Sequence, residues 1–131
     1  MARGLDKHQE RQAAISALGK TISRRAGSKC ELCAGDLDCK VVEVPPIGEE
    51  PDDEAAILAC SRCRELLESR RLPRDASDYR FLEGAAWADP LPVKVAAVTQ
   101  LRRLAAGGVG WATECLDGLW LPEDVTERLG E

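Results

Sequence analysis

The chain has 131 residues and a mass of 14.2 kDa, room for one compact domain with a short appendage but not for two domains of about 100–150 residues. Of its residues 44% are apolar, yet 18 are alanine and only five side chains are aromatic, so the core is thin and something besides apolar packing has to help hold it. The net charge of −5 is split: residues 1–29 carry seven Lys/Arg against two acids (+5), and residues 30–131 carry eleven against twenty-one (−10), so a phosphate backbone would be repelled by the body and attracted only by the N-terminal arm.

The first 25 residues contain Asp6, Glu10 and Lys20 in place of an apolar signal-peptide core, and no apolar run approaches a membrane span. A cytoplasmic protein with no membrane association is expected. Asp6-Lys7-His8-Gln9 has the reciprocal capping pattern and opens a helix over 6–25. Ala14, Ile15, Leu18 and Ile22 form its apolar stripe, Arg11, Lys20, Arg24 and Arg25 lie mostly off it, and Gly27 ends it in a left-handed turn. Leu37 to Val44 reads as a strand and Ala55 to Cys60 as a second, joined by the acidic loop Gly48 to Glu54. A helix over 64–68 follows, stopped by Pro73, and then helical segments near 78–88, 92–106, 110–120 and 122–129, punctuated by Pro90, Pro92, Gly107, Gly108 and Pro122. Val93, Ala97, Leu101 and Leu104 make a stripe that Trp87, Trp111 and Trp120 are expected to cover as core residues.

Six cysteines fall at 30, 33, 39, 60, 63 and 115. Cys30, Cys33, Cys60 and Cys63 form two Cys-x-x-Cys pairs 26 residues apart, the spacing at which two turns each offer two thiolates to one tetrahedral Zn²⁺. Ala34 and Gly35 supply the small residues a tight knuckle needs, and Cys60 and Cys63 open a helix, where free N–H groups favour thiolate. A disulfide framework lacks an export route, and a dithiol redox centre leaves the second pair without a purpose. One structural zinc is therefore expected, with Cys39 and Cys115 as buried filler. Knuckle, hairpin and then a helix carrying the second ligand pair is the treble-clef order. The fold expected is small α+β: a basic amphipathic helix (1–29), a treble-clef zinc module (30–74) and a C-terminal cluster of short helices (75–131) packed on it as a single compact domain. His-metal nucleases of the HNH type share that scaffold but place a histidine base on the hairpin. The corresponding stretch here is Glu43-Val44-Pro45-Pro46-Ile47, and the sole histidine is His8 on the arm.

Arg25, Cys30-Glu31-Leu32-Cys33, Val42-Glu43-Val44-Pro45-Pro46, Leu58 to Cys63, Tyr79-Arg80-Phe81-Leu82, Trp87, Pro92-Val93-Lys94-Val95, Trp111-Ala112 and Leu119-Trp120-Leu121 follow in the order seen in PhnA-type bacterial proteins. Over roughly residues 23–125 the chain resembles the N-terminal zinc module of longer PhnA-type members. The resemblance implies a treble-clef or zinc-ribbon-like unit followed by helices. Those members continue into a small β-barrel, without which this chain is expected to function, and Ala34 stands where the family tends to have glycine. The family's association with phosphonate-utilisation genes suggests hydrolysis, but a four-cysteine site is coordinatively closed and a lone His8 cannot complete a catalytic set. The expected role is that of a non-catalytic zinc protein that binds a protein partner or associates with itself. Nucleic-acid binding through Arg11, Lys20, Arg24 and Arg25 is a second expectation. A degenerate HNH-like nuclease or other metal-dependent hydrolase is the alternative, its second metal or pocket placed in the acidic loop and the C-terminal helices.

Overall fold

Strand β2 (Ala56–Ala59) is buried at every residue, which is why its sequence reads as a continuous apolar run and not an alternating one. The computed structural model describes residues 2–130, with side chains from Lys7 to Gly130. It is a small α+β fold of six helices and one two-stranded antiparallel sheet among the described residues. Strand β1 (Lys40–Glu43) pairs with β2 from Lys40 opposite Ala59 to Glu43 opposite Ala56. It is shorter than the expected 37–44 because Leu37 and Asp38 lie in a turn, with Asp38 at φ 50°, a value no strand can hold. Alternation along β2 divides its neighbours between two faces. Ala56 and Leu58 meet Ile22 of the first helix, and Ile57 and Ala59 join the main core.

That first helix, α1, spans Ala2–Ala26. It starts four residues before the expected cap at Asp6, whose side chain lies outside the described residues. Its end follows the glycine: Gly27 sits at φ 63°, and the Ser28 N–H donates to Ser23 O at 2.9 Å, the six-to-one bond of a Schellman turn. Leu18 and Ile22 carry the stripe onto the sheet.

Helix α2 (Ser61–Glu68) leaves β2 directly through Cys60, three residues before the expected start. Its C-terminal carbonyls are taken by Arg103, which donates to Leu66 O at 3.2 Å and Ser69 O at 2.8 Å. The expected helix over 78–88 is a 3₁₀ turn at Ala76–Tyr79 followed by the single-turn α3 (Leu82–Ala85). Asp75 caps the turn through the Ser77 N–H, and Arg80 and Gly84 bond back three residues instead of four. Helix α4 (Leu91–Ala106) has Pro92 in its first turn and buries Val93, Ala97, Leu101 and Leu104 as expected. Val95, Ala96 and Val98 are buried too, so α4 is enclosed nearly all round. Helices α5 (Gly110–Asp117) and α6 (Glu123–Arg128) pack against it. No helix among the described residues is long and apolar enough to cross a membrane.

The tryptophans correct the expected core. Trp87 is 57% and Trp120 74% exposed, and Trp111 is half-buried beneath the Arg80 guanidinium, 5.4 Å from its ring centre. Trp87 lies in the turn after α3 and Trp120 in the segment between α5 and α6, while the buried places around α4 are taken by Leu82, Ala112, Val125 and its own Val and Ala residues. Trp87→Ala and Trp120→Ala should each change unfolding free energy by less than about 1 kcal/mol, against about 3–5 kcal/mol for truncating a buried ring. Urea denaturation of the two variants checks this.

Candidate metal centre

The knuckle is a closed loop of backbone bonds. The Cys30 N–H donates to Gly35 O at 2.7 Å, the Ala34 N–H to Cys30 O at 2.8 Å, and the Gly35 N–H points at Cys33 Sγ, 3.4 Å away. Ala34 holds φ 66°, and a Cβ on Gly35 would lie 3.3 Å from that same sulfur, which is the physical reason for small residues here. Ala34→Gly should leave stability unchanged or raise it by up to about 1 kcal/mol, because relief of the left-handed strain exceeds or balances the added chain entropy. Thermal denaturation reads the sign. The Glu31 N–H donates to Leu58 O at 2.8 Å and so docks the knuckle on the outer edge of β2.

The second pair follows β2, whose last residue, Ala59, lies opposite the first of β1, Lys40, so it arrives at the same open end of the hairpin as the knuckle. Cys60 is the N-cap of α2 and Cys63 lies in its first turn. Arg64 fixes that start, donating to Asp38 Oδ2 at 2.8 Å, to Ala59 O at 2.9 Å and to the Asp38 carbonyl. The four sulfurs of Cys30, Cys33, Cys60 and Cys63 all lie within 4.8 Å of one another. A tetrahedral ion with bonds of about 2.3 Å needs sulfurs about 3.8 Å apart, and Cys33 and Cys60 stand at 3.5 Å. Cys30, Cys60 and Cys63 are buried, Cys33 is half-buried, and all six cysteines are free thiols.

Their charges are interdependent. The Cys30 thiol is pulled down to about 4, foremost by the hydrogen bond from Cys63, with backbone N–H groups of Cys33, Cys60 and Leu32 adding to it. Cys63 is pushed far upward by making that bond, and burial pushes Cys33 up. Four thiolates held this close repel one another unless a cation lies between them. This is a site that could bind a metal ion.

The other residues singled out from sequence are placed differently. Arg11 makes a bidentate pair with Glu43, at 3.0 and 2.5 Å, and donates to the Gly48 and Glu49 carbonyls. The Glu43 bond holds the guanidinium more firmly protonated. Arg25 binds both oxygens of Glu31, at 2.9 and 2.7 Å, and donates to the carbonyls of Asp53 and Ala56. The basic helix is thus docked on the acidic side of its own chain through two of the four named residues, and Lys20 and Arg24 stay exposed, as does His8. The acidic loop turns several carbonyls toward arginines, Arg128 donating to Glu54 O at 2.8 Å. Among the described residues its carboxylates are not gathered as the cysteines are. Cys39 precedes β1 and Cys115 lies in α5; both are half-buried rather than buried, with Cys39 Sγ 3.5 Å from Gly35 O. Burial pushes both thiols up. Sequence reading missed Glu31, which lies between Cys30 and Cys33 and binds Arg25 and β2. Its one signal was an acid inside a Cys-x-x-Cys turn with an arginine six residues before it.

Comparison with family models, curated proteins and solved structures finds no match for this chain.

Proposed function

We propose that the chain is a small non-catalytic cytoplasmic protein of the PhnA type in which Cys30, Cys33, Cys60 and Cys63 hold one structural Zn²⁺ in a treble-clef module, and whose body serves a protein partner. The carrying observation is the convergence of four thiols, three of them buried, from a knuckle before β1 and a helix start after β2, which the antiparallel register brings to the same open end of the hairpin. Four thiolates fill a tetrahedral shell and leave no position for substrate or water, so the chemistry they support is cross-linking the fold. That supplies what a core of alanine and valine lacks. Engagement of Arg11 and Arg25 with Glu43 and Glu31 neutralises two of the arm's cations within the chain, which favours a protein partner over nucleic acid.

Cobalt(II) substitution tests the reading. The expected spectrum has intense thiolate-to-cobalt charge-transfer bands and tetrahedral d–d bands, both unchanged by added azide or imidazole. A spectrum that shifts on adding either ligand would show an open position and contradict the structural assignment.

A further inference from the structure

The two edges of the sheet differ. The Val44 N–H donates to Ala55 O at 2.7 Å, so in the observed register Val42 with Ile57 and Lys40 with Ala59 are the other bonded pairs, and the backbone groups of Val41 and Glu43 point away from β2. On β2 the corresponding outward groups are closed. Leu58 gives its N–H to Glu31 Oε1 at 2.9 Å and takes the Glu31 N–H, and the Ala56 carbonyl takes Arg25. On β1 the Val41 and Glu43 backbones have no hydrogen-bond partner among the described residues.

Beside that open edge runs a groove of about 520 Å³ between β1 and α4, with Val42, Val44, Leu67 and Ala96 in its walls. Gln100 lines it and is only 4% exposed. Its carbonyl oxygen accepts from Arg103 Nη1 at 2.6 Å, which fixes the amide so that its NH₂ is left over. Of the charged groups lining it, Glu43 is paired with Arg11, and Arg70 and Arg103 outnumber Glu68. On a chain of net −5 the rim is locally positive.

We propose that an extended peptide segment of a partner protein adds to β1 as a third strand, bonding the Val41 and Glu43 backbones, placing an apolar side chain in the groove and an acidic residue beside Arg70. Ladder bonds give affinity to any extended chain, and the pocket with its cationic rim chooses the sequence. This rests on the reading of the chain as a partner-binding protein, and it needs nothing from the identity of the metal.

The probe is a capped hexapeptide of alternating valine and threonine ending in aspartate, added at millimolar concentration to the full chain while amide exchange is followed residue by residue. Exchange at Val41 and Glu43 should slow about tenfold, and an N-methylated copy of the peptide should have no effect. Val41→Pro removes an outward N–H without touching the bonds to β2, and Thr99→Trp fills the groove from an exposed position on α4. Either change should abolish the protection, and Arg70→Glu should weaken it unless the peptide's aspartate is replaced by lysine. Absence of protection in the wild-type chain would overturn the proposal. So would protection that appears without peptide and rises with protein concentration, because the edge would then belong to a second copy. Zinc content measured on the same samples keeps the two readings separate: a metal-free chain that still protects Val41 and Glu43 would refute the zinc assignment alone.

Discussion

Cys60→Ser is expected to abolish stoichiometric zinc binding and to unfold the segment between Cys30 and Cys63. Cys60 stands at the N-cap of α2 with its sulfur 3.5 Å from that of Cys33, at the junction of strand, helix and knuckle. Binding of a structural zinc contributes about 10–16 kcal/mol in isolated modules, whereas a domain's whole net stability is about 5–15 kcal/mol. Loss of one of four ligands, with a water in its place, therefore removes an amount comparable to the entire margin. The aliphatic core around α4 does not offset this, because the knuckle touches it mainly through Leu32 and the cysteines themselves. Metal analysis and circular dichroism melts should show sub-stoichiometric zinc and loss of the cooperative transition in Cys60→Ser. Cys39→Ser and Cys115→Ser, whose thiols lie outside the cluster, should keep both. Undiminished zinc and unchanged melting in Cys60→Ser would contradict the account.

The second large effect is expected at Glu31→Ala. This side chain is 5% exposed and receives the Arg25 guanidinium through both oxygens, together with the Leu58 N–H at 2.9 Å. Its removal leaves a backbone donor of β2 unsatisfied and strands Arg25, only 23% exposed, without its carboxylate. Breaking such a pair from one side costs about 3–5 kcal/mol, more than the pair itself contributes, because the remaining charge stays poorly solvated. Urea denaturation should show a loss of about 3 kcal/mol with zinc still bound one to one. The double variant Arg25→Ala with Glu31→Ala should lose less than the sum of the single changes. Full additivity would mean that the two side chains are not coupled as the geometry requires.

These two sites differ in how openly the sequence declares them. The clustering of the cysteines was legible because the spacing is a local mark: a Cys-x-x-Cys turn followed by small residues, and a second Cys-x-x-Cys pair, are the pattern of groups that converge, and the four sulfurs do. Gly27, Pro92 and the continuous apolar run Ala55 to Cys60 were legible for the same reason, since backbone conformation and burial of both strand faces leave marks on neighbouring residues. Arg25 and Glu31 were not. Each looks like a solvated surface charge, and what makes them a buried pair is that α1 crosses the β2 edge, a fact written in no single segment. Arg11 and Glu43, 32 positions apart, hide in the same way. The tryptophans misled for a related reason: ring size favours burial, but Trp87 and Trp120 fall in the segments that connect helices, and local sequence does not show which way such a segment faces. The strand β1 lost its first half to the left-handed turn at Asp38, which alternation of side chains cannot reveal.

Native mass spectrometry of the chain purified without chelator, compared with its denatured mass, decides whether the four cysteines hold one zinc, because it counts bound metal and thiol hydrogens together. One zinc per chain and a denatured mass with all six cysteines reduced are expected. A metal-free chain whose denatured mass is lighter by the hydrogens of one or more disulfides would contradict the zinc assignment.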